Sequence, residues 1–397
     1  MLHGSIQAAA RAARTTRNTL CDALARGGLK APTAAPREPD AVVDKTRLKL
    51  SDKASKLESE LKQIHRDNMT AEEVRESIFR LTATPADPPD WLIRVAPLSK
   101  SALVPLTLWS DWHIGEVVTA GEVNGVNEYN LTIAEARIRK LVDRTIDLCF
   151  RHMTNPEYPG IIVNLLGDIV SGDIHVELSE TNETELFPVI LWARDRLIWA
   201  LRTLADHFGQ VFVPCAPGNH GRMTRKPQAK RYVFKNADWL LFCLLERHFK
   251  DVGDTRIQFM IPDTGECLYR VFEHRYMGIH GDDLGVRGGD GIIGAIGPIM
   301  RGEIKLHASQ AHIARDYDTA LMGHWHQLLW LQRAIVNNTL KGYDEFARRF
   351  LRAPAAPPSQ ALWFQHRARG ITARWEVHVE DAPVRADSSW LNVWSAA

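Results

Sequence analysis

The hydrophobic pattern of this chain predicts an α/β fold with buried strands. Four short apolar runs, LVPLTLW (103–109), GIIVNLL (160–166), QVFVPC (210–215) and TALMG (319–323), each end at a polar cluster. Segments 132–150, 185–208 and 237–250 have the length and periodicity of helices. Continuous rather than alternating apolar runs belong to strands covered on both faces. In such sheets functional groups gather just beyond the carboxyl ends of the strands.

The flanking elements follow in order. Ser5 is placed to cap a helix through the Ala-rich stretch to Ala13, and Thr16 to cap another that ends at Gly27 and Gly28. A Pro/Ala linker runs from Ala31 to Pro39. Between Asp44 and Arg66 charged residues alternate with Leu48, Leu50, Leu57, Leu61 and Ile64, and Thr70 caps AEEVRESIFRL, which together predict a helical hairpin. The proline-rich ATPADPPD cannot continue a helix and sets the start of the main domain near Trp91. At the other end, ALWFQHRARGITARWEVHV reads as closing strands, with Trp363 and Trp375 in the core. The expected organisation is 1–30, a short helical unit; 31–90, linker and hairpin; 91–380, the main domain; 381–397, a tail.

Composition narrows the class. At 397 residues and 45% hydrophobic, the chain has room for a large catalytic domain and a smaller appendage. Five cysteines without a CxxC pair fit neither a disulfide framework nor a cysteine zinc site, which predicts a cytoplasmic, reducing environment. No apolar run approaches the ~18 residues of a membrane span, and the N-terminus lacks the apolar core of a signal peptide, so neither membrane nor secretion is expected. A net charge of +1 says little, but charge is uneven: 222–235 carries Arg222, Arg225, Lys226, Lys230, Arg231 and Lys235 and no acid.

The chemistry-bearing residues sit where the fold class puts them. Asp111-Trp112-His113 follows the first run, Gly167-Asp168 the second and Gly218-Asn219-His220 the third; His280-Gly281-Asp282 follows YMGI, and Gly323-His324-Trp325-His326 follows TALM. Carboxylate oxygen with imidazole nitrogen is a ligand set for divalent first-row metals, and so many groups exceed what one ion can use, so two ions sharing a carboxylate are expected. In an extended segment residues two apart point the same way, which would aim Asp111 with His113, and His324 with His326, into one pocket.

Taken together, the order and spacing of DxH, GD, GNH, H and GHxH over residues 111–326 resemble the calcineurin-like metallophosphoesterase superfamily. The resemblance implies a four-layer α-β-β-α metallophosphoesterase sandwich, here with a helical N-terminal extension. It implies that Asp111, His113 and His326 hold one ion and Asn219, His280 and His324 the other, with Asp168 between them. His220 would be free of metal and protonate the leaving alkoxide after in-line attack by a metal-bridging hydroxide. Manganese is expected by the same resemblance, with iron, zinc or magnesium as alternatives. The chain departs from the common pattern after GNH, where an acid is usual and Gly221 and Arg222 stand instead. The acidic stretch Asp173–Glu185 reads as a hydrated loop and His175 as no ligand. GDGIIG (289–294) fits GxGxxG without a strand before it and reads as a loop, flanked by Arg287 and Arg301.

Three features bear on the substrate. The basic run begins two residues after His220, where Arg222, Arg225 and Lys226 are candidates for substrate phosphate; a polyanion would use such a run. The segment GSIQAAARAARTTRNTL resembles a helix-turn-helix of bacterial and phage regulators, with Arg17 and Asn18 foremost in the major groove, although the first helix of a three-helix unit is missing. SDWHIGE, GDIVSGDIH, GNHGRMTRK, GGDGIIGAIGP and LKGYDEF are similar to phage and prophage phosphoesterases linked to DNA-repair exonucleases. The leading expectation is therefore a nuclease acting on DNA in the cytoplasm of a bacterium or phage-infected cell. The alternatives are a phosphatase or diesterase for a small phosphorylated molecule, and a DNA-binding accessory protein with an idle phosphoesterase fold. Oligomeric state is not predicted.

Overall fold

The computed structural model describes residues 17–27, 103–154, 156–224, 226–284, 296–351 and 354–381. The chain divides into two compact units, Met1–Glu72 and Glu73–Ala397. In the first, helix α1 spans Arg17–Arg26, close to the expected second N-terminal helix, and Gly27 closes it by donating its amide to the Ala23 carbonyl at 3.1 Å. The helix expected over Ser5–Ala13, the hairpin and the Trp91 boundary lie outside the described residues.

The second unit is built on two sheets. One has the order β11-β10-β1-β2-β3-β4, from β1 (Leu103–Trp109), β2 (Ile161–Leu165), β3 (Val211–Pro214), β4 (Ile257–Met260), β10 (Ser359–His366) and β11 (Gly370–His378). Here β1 to β4 are parallel, and β10 runs antiparallel to β1, with Leu106 opposite Trp363. The other has the order β5-β6-β7-β9-β8, from β5 (Cys267–Val271), β6 (His274–Gly278), β7 (Thr319–Met322), β8 (Leu329–Trp330) and β9 (Ala334–Val336). In it β6, β7 and β9 are parallel.

Side-chain alternation sorts each strand between two cores. Val163 and Leu165 of β2 face a core shared with α2 (Leu131–Phe150), α4 (Leu186–Phe208) and α5 (Ala237–Asp251), through Ile138, Leu197 and Leu241. Leu106, Ile162, Tyr269, Leu321 and Trp363 fill the space between the sheets. On the far face Met277, Ala320 and Val336 pack against Ile299 of α6 (Ile296–His312). Helices, sheet, sheet and helix therefore stack as four layers, the expected α/β sandwich. Asn130 caps α2 by accepting the Ile133 amide at 2.9 Å, and Asn236 caps α5 through the Asp238 amide at 2.8 Å.

The four apolar runs are strands within a residue or two of their expected ends. Trp363 is fully buried; Trp375 packs against the helix-side core, partly exposed. Strands β4, β5, β8 and β9 were not expected, because they are only two to five residues long. Residues 173–185 hold a short helix, α3 (Val176–Thr181), rather than a plain loop. Among the described residues no helix is long and apolar enough to cross a membrane.

Candidate metal centre

Five strand ends, those of β1, β2, β3, β6 and β7, deliver the candidate residues to one place. Three groups of ligand atoms lie within 4.8 Å of one another: Asp111, His113 and His326; His113, Asp168 and His220; Asp168, His280 and His324. His113 Nε2 is 3.1 Å from His326 Nε2, and His326 Nε2 is 3.3 Å from Asp111 Oδ1. Asn219 Oδ1 is 3.2 Å from His280 Nε2 and 3.0 Å from His324 Nδ1. His280 Nε2 is 3.0 Å from Asp168 Oδ2. All seven expected ligands and His220 therefore converge.

The local backbone is not the extended one expected from DxH and HxH. Asp111, His113, Asp168, His324 and His326 have φ of 56°, 47°, 51°, 66° and 50°, half of the ten non-glycine residues at positive φ among those described. Each such residue costs of order 1 kcal/mol and persists only where surroundings over-determine it. Here they do. The His324 amide donates to both oxygens of Asp111 at 2.9 and 3.1 Å, the His113 amide to the Asp168 carbonyl at 2.9 Å, and the His220 amide to Asp168 Oδ1 at 2.6 Å. The motif glycines permit this closeness: a Cβ on Gly218 would lie 2.2 Å from Asp168 Oδ1, and one on Gly323 2.2 Å from Asp111 Oδ2. Between Asp111 and His113, Trp112 turns fully into the core, whereas Trp325, between His324 and His326, is half-buried.

Electrostatics keeps most imidazoles in the form that binds cations. Burial, then the nearby Lys341 charge, holds His113 well below the usual histidine range; burial lowers His220 and pushes His324 down to about 4. His280 is the exception: burial opposes its charge, but the Asp168 carboxylate beside it raises it well above the usual range. Two buried carboxylates facing ring nitrogens form a donor set that fits divalent cations. Asp111, His113 and His326 would hold one ion, Asn219, His280 and His324 the second, and Asp168 is placed between the groups.

His220 is held differently. Its Nδ1 lies 3.0 Å from the Ser171 carbonyl, which accepts a hydrogen bond from Nδ1–H, and its ring meets that of His113 edge to face with centroids 4.5 Å apart. A backbone carbonyl thus orients His220, and no side chain fits at 221: a Cβ on Gly221 would lie 2.4 Å from Asn236 Oδ1.

Several supporting residues carry no motif in the sequence. The Asp238 carboxylate accepts the amides of Asp168 (2.8 Å), Ile169 (3.2 Å), Val170 (3.3 Å) and Gly218 (3.0 Å), tying the GD and GNH turns together. Burial, then the Asp168 charge, pushes it up to about 6. Ser110 Oγ donates to Asp111 Oδ2 at 2.6 Å and accepts from Asn337 Nδ2 at 3.0 Å, and Thr339 Oγ1 donates to the Asp111 carbonyl at 2.7 Å. An Asp in the first turn of α5 was the one legible hint, as an acid favourable at a helix start.

The substrate candidates are less gathered. Arg222 Nε donates to the Thr224 carbonyl at 2.9 Å, Lys226 is exposed, and Arg225 is outside the described residues. The basic excursion is pinned at its base by the Arg222–Asn236 bridge and the Met223 amide on the Lys235 carbonyl at 2.9 Å. His175 is exposed at the start of α3, its ring centroid 6.2 Å from that of His220. Arg301 is exposed on α6, whereas Arg287 and GDGIIG fall outside the described residues. Arg17 and Asn18 open α1 in the other unit, with Asn18 exposed.

No family model matches the chain, and no curated protein matches it. Among solved structures it is similar to one described as a "putative 5'-nucleotidase from Staphylococcus aureus in complex with alpha-ketoglutarate", at 11% identity and a TM-score of 0.30, over 72% of this chain and 56% of that one. At that level of likeness neither the activity nor the ligand of that protein transfers.

Proposed function

We propose that this chain is a two-metal phosphoesterase of the calcineurin-like type that hydrolyses phosphodiester bonds in DNA. The observation that carries the reading is the convergence of three ligand groups that share His113 and Asp168. Two bound divalent ions would supply charge stabilisation and a nucleophile at neutral pH. The chain's own part is to orient. Asp111 and Asp168 are fixed by backbone amides, so their oxygens stay put as charge develops. His220, with Nδ1–H on the Ser171 carbonyl, would take up a proton from solvent at Nε2 and deliver it to the leaving alkoxide, returning to its neutral form.

Support for DNA comes from the basic excursion that starts two residues after His220 and exposes Lys226, Lys230 and Arg231. Such a run neutralises successive backbone phosphates whatever the base sequence. The phage-type motifs and the regulator-like N-terminal segment point the same way, with Arg17 and Asn18 as the DNA contacts of that segment and manganese as the favoured metal.

The test is incubation of the purified chain with Mn or Mg on labelled single- and double-stranded DNA beside bis-p-nitrophenyl phosphate. Cleavage of DNA, with affinity falling steeply as salt rises, is expected. Turnover of the small ester with both DNAs intact, or a shallow salt dependence, would move the reading to a small phosphorylated substrate. Binding of DNA without hydrolysis of anything would leave an accessory protein.

A further inference from the structure

One buried polar chain next to the centre has no part in the chemistry described so far. It starts at His113. That ring turns Nε2 toward His326 and Nδ1 toward the Glu116 carboxylate, 3.6 Å from Oε2. Both His113 Nδ1 and Glu116 Oε2 are buried, and neither has a hydrogen-bond partner. The other oxygen of Glu116 accepts from Lys341 Nζ at 2.8 Å, and Lys341 Nζ donates to Asp344 Oδ2 at 2.5 Å. Lys341 is itself 2% exposed. Its main chain is fixed by Arg137, whose guanidinium donates to the carbonyls of Leu340 and Lys341, and by Asn127 Nδ2 on the Lys341 carbonyl at 3.0 Å.

A buried donor and a buried acceptor that face each other just beyond bonding distance form a contact waiting for its partner atom to be set. A His that ligates a metal through one nitrogen commonly donates its other N–H to a carboxylate, which fixes the ring and makes the ligating nitrogen more basic. We propose that Glu116 is the positioning residue for His113, accepting the Nδ1 proton when Nε2 holds a divalent ion, and that Lys341 with Asp344 clamps the carboxylate in place. Lys341 leaves one Glu116 oxygen for His113 and takes the other. The arrangement also screens Glu116 from becoming a metal ligand itself, because its carboxylate lies on the Nδ1 side of the ring.

This inference rests on the reading of His113 as a ligand, and the experiment separates the two. Mn2+ titration followed by electron paramagnetic resonance counts and ranks the bound ions in the wild type and in Glu116→Gln, with metal-free unfolding as the check on folding. The expected result is two ions in the wild type and, in the variant, one of them bound ~10 to 100-fold more weakly with the other unchanged. Two ions held with wild-type affinities in a folded Glu116→Gln overturn the role of Glu116 and leave the metal centre standing. No ion in the wild type removes both. Should the variant not fold, the wild type decides: zinc-loaded protein with 15N-labelled histidine should show a slowly exchanging Nδ1–H resonance that His113→Ala deletes. If no protected Nδ1–H belongs to His113, Glu116 does not hold its ring.

Discussion

The two halves of the centre are backed by different materials. Behind His113 stands a chain of buried charges, Glu116, Lys341 and Asp344, drawn from segments 225 positions apart in sequence. Behind His280 stands one backbone carbonyl, that of Leu166, 2.8 Å from Nδ1. Charge backing is strong and tunable, but leaves an uncompensated ion if any member is lost; a carbonyl is weaker and cannot be mutated away. The difference teaches that the two proposed ion positions should respond unequally to substitutions outside the proposed ligands.

The largest effect should erase the difference. Asp168→Ala removes the carboxylate placed between both groups, and hydrolysis of bis-p-nitrophenyl phosphate should fall ~10⁴-fold, with metal analysis showing loss at both positions. Next, Lys341→Met leaves Glu116 and Asp344 buried without their cation, which should lower stability by ~3–5 kcal/mol in denaturant unfolding, whereas Leu166→Ile, a core swap that keeps its carbonyl, should cost no more than about 1.5 kcal/mol. Equal losses from the two would refute the contrast drawn between the halves. His220→Ala belongs to neither half: kcat should drop ~10²-fold or more while both ions bind as in wild type. Asp238→Asn replaces an acceptor of four amides by a group that must turn a donor toward some of them, so a loss of ~1–3 kcal/mol is expected, shared by both halves.

The smallest effect concerns pH. Burial works against the Asp344 charge, but Lys341 overrides it and holds the carboxyl down to about 2. A depressed carboxylate contributes stability that is present above its unfolded value and lost as pH falls through the folded one. Wild type should therefore lose, between pH ~4 and ~2, a component of stability that Asp344→Asn lacks; parallel acid-unfolding profiles would contradict the assignment.

Much of this centre was legible in the sequence because strand-end residues are local signals. A polar cluster after an apolar run marks its own position, so Asp111, Asp168, Asn219, His280 and His324 could be placed before their contacts were known. What stood outside local reach was conformation and support. The left-handed backbone at Asp111 is held by the amides of His324 and Leu340, contributed by distant segments. Asp238 and Lys341 look like an ordinary helix-start acid and a surface lysine, and only tertiary contacts make them buried partners of the site. The missing acid after GNH was visible, but its reason was not: Asn236, the cap of the next helix, fills the space at Gly221. Strands β8 and β9 were too short to carry a period.

Asp111 is fixed by the amide of His324, and β1, which ends two residues before it, pairs on one edge with β10 at Ser359–His366. A chain emerging from the ribosome therefore carries its first ligands long before it can arrange them. Half-built, it offers loose imidazoles and carboxylates to any ion that passes. In the two-metal reading proposed above, loading would therefore follow the pairing of β10 with β1, once residues 359–366 have left the ribosome.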